Sequence, residues 1–177
     1  VNGLRGFVNQ QTAIPPSVAA DIAALEADVA DILLDLAALN TEVDALPRGT
    51  MGYAQITASQ TGITTIVDVT GLTTTFTAVT GRRYRVSVDV YVNGTVAADT
   101  LGISIANGSN TQLTSTQIVA VANPAIQQRA VCSGIVTGIN GSTTYKIRAI
   151  RLTGSGNMEV FASSANPGFI LVEDIGT

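Results

Sequence analysis

The chain has 177 residues, of which 46% are hydrophobic and only 12% charged, so it can bury a sizeable core and is not a disordered polar chain. A net charge of −4 gives no electrostatic reason to expect nucleic acid or an anionic membrane as a partner. One cysteine and no histidine exclude an intrachain disulfide and Ser-His or Cys-His catalysis, and come close to excluding a structural zinc site.

Residues 1–16 (VNGLRGFVNQQTAIPP) are short, mixed and without period. They lack the basic-then-apolar layout of a signal peptide. Apolar Leu4, Phe7, Val8 and Ile14 have no core of their own to join, because Pro15-Pro16 separates them from the periodic run that begins at Ser17. Such residues at the root of a stalk mark an expected docking segment for a neighbouring protein.

Pro15-Pro16 can lead into a helix, with Ser17 as the expected N-cap and Asp21 in the first turn, where the helix dipole favours negative charge. From there the apolar residues run Val18, Ile22, Leu25, Val29, Ile32, Leu36, Leu39, Val43, Leu46, in alternating steps of four and three. This is a heptad seam with Ile22, Val29, Leu36 and Val43 at a, and the others at d. The strict 3.5-residue period predicts a coiled-coil stalk over 17–46, since a helix laid on its own globule drifts toward 3.6. Pro47 and Gly49 end it.

The seam also bears on the number of helices. Leu36 at an a position, with Val18 and Ile32 at d, departs from the dimer pattern of β-branched a and Leu d. Ala19 and Leu33 at e widen the apolar face, so a third helix is expected to cover it. Between Ser17 and Leu46 stand seven acids (Asp21, Glu26, Asp28, Asp31, Asp35, Glu42, Asp44) and no base. Every g position is acidic, so interhelical salt bridges contribute nothing and the apolar core carries the expected homotrimer, with a dimer second.

Residues 47–177 read as strands. Tyr84-Arg85-Val86-Ser87-Val88-Asp89-Val90 alternates apolar and polar, the mark of a half-buried antiparallel strand. Similar runs lie near 52–58, 64–70, 73–79, 101–106, 113–121, 126–137, 143–152, 157–162 and 168–174. Turn signals separate them: Thr70-Gly71, Thr80-Gly81, Asn93-Gly94, Asn107-Gly108, Asn140-Gly141, Gly154-Ser155-Gly156 and Asn166-Pro167-Gly168. About ten short strands at this spacing predict a mainly β domain, an antiparallel sandwich of jelly-roll type.

Several motifs have a bland and a sharp reading. Each Asn-Gly pair after residue 90 is followed by Ser or Thr and is formally a glycosylation acceptor, but a hairpin turn needing positive φ is the simpler account. Arg82, Arg83 and Arg85 form a basic cluster, expected at a solvated strand end or in an interprotomer ion pair. Cys132, in Ala130-Val131-Cys132, is expected to be a buried small hydrophobe. Catalysis is left with the scattered carboxylates Asp68, Asp89, Asp99 and Glu159, which need a shared cleft to act as a pair. No enzyme, cofactor or metal is expected.

Two stretches, Thr73-Thr74-Thr75-Phe76-Thr77-Ala78-Val79-Thr80-Gly81-Arg82-Arg83-Tyr84-Arg85-Val86 and Gly168-Phe169-Ile170-Leu171-Val172-Glu173-Asp174-Ile175-Gly176, resemble segments in structural proteins of tailed bacteriophages of actinobacterial hosts, the minor tail and fibre proteins. The layout of short N-terminal segment, coiled coil and terminal sandwich resembles trimeric tail fibres and head fibres. The resemblance implies a virion location on tail or capsid surface. It also implies docking through residues 1–16 onto a neighbouring virion protein, and a β domain displayed toward a host-surface component. A capsid-decorating head fibre is the alternative. A secreted trimeric ligand resembling the C1q and tumour-necrosis-factor sandwiches is a further one, disfavoured by the absence of collagen repeats and disulfides.

Overall fold

The structure is a computed structural model and describes residues 15–177, so Leu4, Phe7, Val8 and Ile14 lie outside the described residues. It divides into two units, one ending at Asp44 and the other spanning Ala45–Thr177.

Helix α1 (Pro16–Ala45), thirty residues long, is the element described in the first unit and ends one residue beyond it. Its start corrects the expected cap. The Ala19 amide donates to the Pro15 carbonyl at 3.0 Å, so Pro15 flanks the helix and Pro16 takes its first position. There a missing N–H costs nothing and the fixed φ is already helical. Ser17 is therefore inside the helix, and Asp21 falls beyond the first turn. No residue of α1 is buried.

The second unit contains ten strands: β1 (Gly49–Ile56), β2 (Gln60–Ile63), β3 (Val67–Ala78), β4 (Arg83–Gly94), β5 (Thr100–Asn107), β6 (Gln117–Ala120), β7 (Gln128–Val136), β8 (Gly141–Thr153), β9 (Met158–Phe161) and β10 (Gly168–Gly176). They form two antiparallel sheets. One has the order β1-β10-β4-β9-β2, with β7 on the other edge of β4, and the second has the order β3-β8-β5-β6. Leaving aside the short β2 and β9, the remaining eight strands pair in a nested series: β5 with β6, β4 with β7, β3 with β8 and β1 with β10. That is one long hairpin folded over on itself, and the contacts β10–β4 and β8–β5 close it into a jelly roll.

The alternation in the sequence maps onto the two sides of each sheet. In β4 Tyr84, Val86, Val88, Val90 and Val92 are buried, while Arg83 and Arg85 are exposed. Leu101, Ile103 and Ile105 from β5, Ile147 from β8, and Ile170 and Val172 from β10 complete the apolar layer between the sheets. Phe76 stands 5.0 Å from the Tyr84 ring and 6.3 Å from Tyr145, centroid to centroid. The Tyr84 hydroxyl accepts a bond from the Val79 amide at 2.7 Å, so the buried ring keeps its polar end satisfied at the β3–β4 connection.

Several local expectations are corrected. Thr70-Gly71 is not a turn but lies inside β3, where the register with β8 slips between Asp68 and Thr73. Gly71, at φ +85°, supplies the bulge, and a Cβ there would come within 2.8 Å of Ile56 Cγ2. The run 64–70 is accordingly no separate strand. Asn93-Gly94 is the end of β4, still in register with β9, and Asn107-Gly108 is turned by the Asn107 side chain, which accepts from the amides of Ser109 and Thr111. Of the three Asn-Gly glycines only Gly141 has positive φ.

Candidate assembly and display surfaces

Among the described residues nothing in the helix's own unit covers the heptad residues of α1. Val18 and Ile22 are 43% and 42% exposed, and Leu25, Val29, Ile32, Leu36, Leu39 and Val43 are each half exposed or more. Leu46, past the end of the helix, is exposed as well. Fully burying such a side chain contributes about 1.5–3 kcal/mol. In the single chain these side chains keep roughly half or more of their surface in water. No helix among the described residues is long and apolar enough to cross a membrane.

The β unit is fastened where the chain arrives from the helix. Arg82, expected at a solvated strand end or between protomers, is instead 3% exposed and pairs within its own chain to the equally buried Asp174. Its Nε and Nη2 both donate to that carboxylate, the second at 2.9 Å, and Nη2 also donates to the Leu46 carbonyl. The Gly176 amide adds a bond to Asp174 at 2.9 Å, and the Thr177 amide reaches the Ala45 carbonyl at 3.3 Å. Burial pushes the Asp174 carboxyl up, but the hydrogen bonds from Arg82 and Gly176 and the charges of Arg82 and Arg48 outweigh it and hold the group below its ordinary 3.8. Arg83 and Arg85 remain exposed at the start of β4.

The opposite rim follows from the register. Gly49, Asp174, Tyr84 and Val136 lie at one end of the larger sheet, and Ile56, Gly168, Val92 and Gln128 lie toward the other. The segments 95–99, 121–127 and 162–167 therefore emerge at the end farther from Ala45. A shallow cleft of about 280 Å³ opens there between Asn93, Thr95, Pro124, Asn157 and Glu159. The rim is well ordered by hydrogen bonds: Asn93 Nδ2 donates to the Pro124 carbonyl at 2.8 Å, and the Asn157 amide donates to Thr95 Oγ1 at 2.9 Å.

The candidate catalytic carboxylates are dispersed. Asp68 pairs with Lys146 (2.6 Å) and Arg148 (3.2 Å), and Asp89 accepts from Arg129 Nε at 2.8 Å. Asp99 is buried and accepts from the amides of Ser155 and Gly156, which makes it the lock of the Gly154-Ser155-Gly156 turn. Among the described residues no three of Asp, Glu, Cys or His are grouped to hold a metal ion. Cys132 is half-buried rather than fully buried. It points to the core side of β7, and burial raises its thiol above the ordinary 9.0, a hydrogen bond with Thr114 offsetting part of the shift.

No family model matches the chain, and no curated protein does. Solved structures with a similar arrangement include murine APRIL, at 11% identity over 71% of this chain and 99% of that one, with a TM-score of 0.46. They also include the tripod from the baseplate of bacteriophage Tuc2009, at 19% identity over 67% of this chain and 64% of that one (TM-score 0.42). A third is the VP2 subviral particle of infectious bursal disease virus, at 13% identity over 73% of this chain and 38% of that one (TM-score 0.42). All three likenesses are distant, and the jelly roll rests on the strand pairing of this chain itself.

Proposed function

We propose that the chain is a non-enzymatic structural protein of a bacteriophage particle, a homotrimeric tail-fibre or minor-tail component that displays its sandwich. The observation that carries this reading is the exposed heptad seam. Val18, Ile22, Leu25, Val29, Ile32, Leu36, Leu39, Val43 and Leu46 repeat every 3.5 residues, and α1 carries no buried residue. In this reading 17–46 is the trimerising stalk and 47–177 the displayed domain. Residues 1–16 dock onto a neighbouring virion protein through Leu4, Phe7, Val8 and Ile14. The polar rim around Asn93, Asn157 and Glu159 is the surface offered to a host component. The phage setting is supported by the resemblance that the stretches 73–86 and 168–176 carry.

Sedimentation of the purified chain should give three times the 18.1 kDa of one chain. A stable monomer overturns the stalk, and a dimer overturns the trimer. Deleting residues 1–14 should leave the trimer and the fold intact while abolishing incorporation into particles. Normal incorporation of that deletion would place the anchor elsewhere and reverse the polarity.

A further inference from the structure

The two outer faces of the sandwich differ in kind. On the smaller sheet the outward residues of β3 are Asp68, Thr70, Thr73, Thr75 and Thr77, and across from them Thr144, Lys146 and Arg148 project from β8. Its aliphatic end is partly covered from within the chain. Thr116, Ile150 and Leu152 close over Gly102, whose Cβ would meet all three within 3.2 Å.

Among the described residues the larger sheet has no such cover. Its register places Tyr53 beside Leu171, Leu171 beside Ser87, and Ser87 beside Ser133. One step along, Gln55, Phe169, Asp89 and Val131 form a second row, and Thr50, Glu173, Arg85 and Ile135 a third. The Tyr53 and Phe169 rings are 6.0 Å apart on this outer side. Tyr53 is 51% exposed, Val131 50% and Ile135 51%, while Phe169, Leu171 and Ile175 are half-buried. An aromatic-aliphatic strip on β1 and β10 and an aliphatic strip on β7 thus flank a middle strand bearing Arg85, Ser87 and Asp89.

We propose that this outer face is an interface between copies of the same chain. The inference rests on the stalk reading and goes beyond it by assigning a second contact surface. Three observations select another copy as the occupant. The face carries both signs of charge, with Arg85 in register with Glu173 and Asp89 accepting a hydrogen bond from Arg129, so it complements itself rather than a partner of one sign. Only residues 46–48 separate α1 from β1, an edge strand of this same sheet, so assembled helices hold the sandwiches at high effective concentration. The size fits a tethered contact: four strands about 4.8 Å apart and about six residues long span roughly 300–400 Å². That falls short of the about 800 Å² per partner typical of an interface that stands alone.

The test uses four full-length proteins: the native chain, a seam variant (Leu25→Asp with Ile32→Asp), a face variant (Val131→Asp with Leu171→Glu), and the combination. Circular dichroism reports the fold. Val131→Asp alone serves if Leu171→Glu unfolds the domain, because Val131 is half exposed in the single chain. In sedimentation the native chain and the face variant should both be trimers, the face variant melting lower. The seam variant should show a weak, concentration-dependent association that the face substitutions weaken at least about tenfold. A native trimer whose seam variant is monomeric at every concentration, with a face variant that melts like the native chain, overturns the interface and leaves the stalk standing. Association of the seam variant that ignores the face substitutions also overturns it. A monomeric native chain overturns both readings.

Discussion

A guanidinium with 3% of its surface exposed has lost nearly all its hydration, and at Arg82 the Asp174 carboxylate and the Leu46 carbonyl replace it. Removing one partner of such a pair costs about 3–5 kcal/mol, because the other charge stays buried without an answer. Arg82→Met should therefore lower the melting temperature of the β unit sharply, while Arg82→Met with Asp174→Leu should recover much of the loss. The pH slopes separate the mechanisms. In the native chain the Asp174 carboxyl sits below its ordinary 3.8, so its contribution is complete above that value and fades as pH falls through the lower folded one. In Arg82→Met the effect of burial dominates and the folded carboxyl is raised, so stability should increase on mild acidification from neutral pH. Parallel acid melting curves for the two proteins would refute the pairing. None of this was legible in the sequence: the cluster Arg82, Arg83, Arg85 is visible, but its partner is ninety-two residues away and local charge does not name it. Cys132 was legible to a degree, since strand alternation puts it on the core side, but not how far β7 leaves that side open.

Helix α1 was the most legible element, because a 3.5-residue period over nine positions is written in the sequence alone and needs no tertiary partner to be seen. Its seven acids without a base carry a consequence for assembly. Like charges brought together repel, and salt screens them over a Debye length of about 8–10 Å. The proposed oligomer should therefore melt higher in 0.5 M than in 0.05 M sodium chloride, values chosen about tenfold apart to bracket that screening. A fall with salt would mean that ion pairs, not the apolar seam, hold the helices. Strand β3 shows where reading by element fails. Thr70-Gly71 has sound turn chemistry locally, yet pairing with β8 on both sides of the bulge keeps the strand running. β2, four residues long, matches none of the expected runs, since so short a strand carries little alternation, whereas β9 falls inside the expected run 157–162.

At the scale of the molecule the nested pairing orders everything else. β5 with β6 closes a short loop, but β1 with β10 joins residues more than a hundred positions apart, as in Tyr53 with Leu171. Contacts of such long range are slow to form, so refolding of the β unit from urea should take milliseconds to seconds, as two-state β sandwiches do. Stopped-flow fluorescence from its tyrosines would read it, and a microsecond phase accounting for the whole amplitude would contradict the topology. The sandwich class was legible from strand count and turn spacing, whereas strand order was not, because periodicity says which side of a strand is inward but not which strand lies beside it.

The same nesting brings the first and last strands of the domain side by side, with the Thr177 amide on the Ala45 carbonyl. Cargo joined after Thr177, whether a label or a fused domain, would start beside the chain's own threshold and be crowded by it. A peptide grafted into 162–167 would stand clear on the far rim, three times over in a trimer. For use as a scaffold, the sandwich takes its passengers in the loops of the far rim rather than beside Thr177.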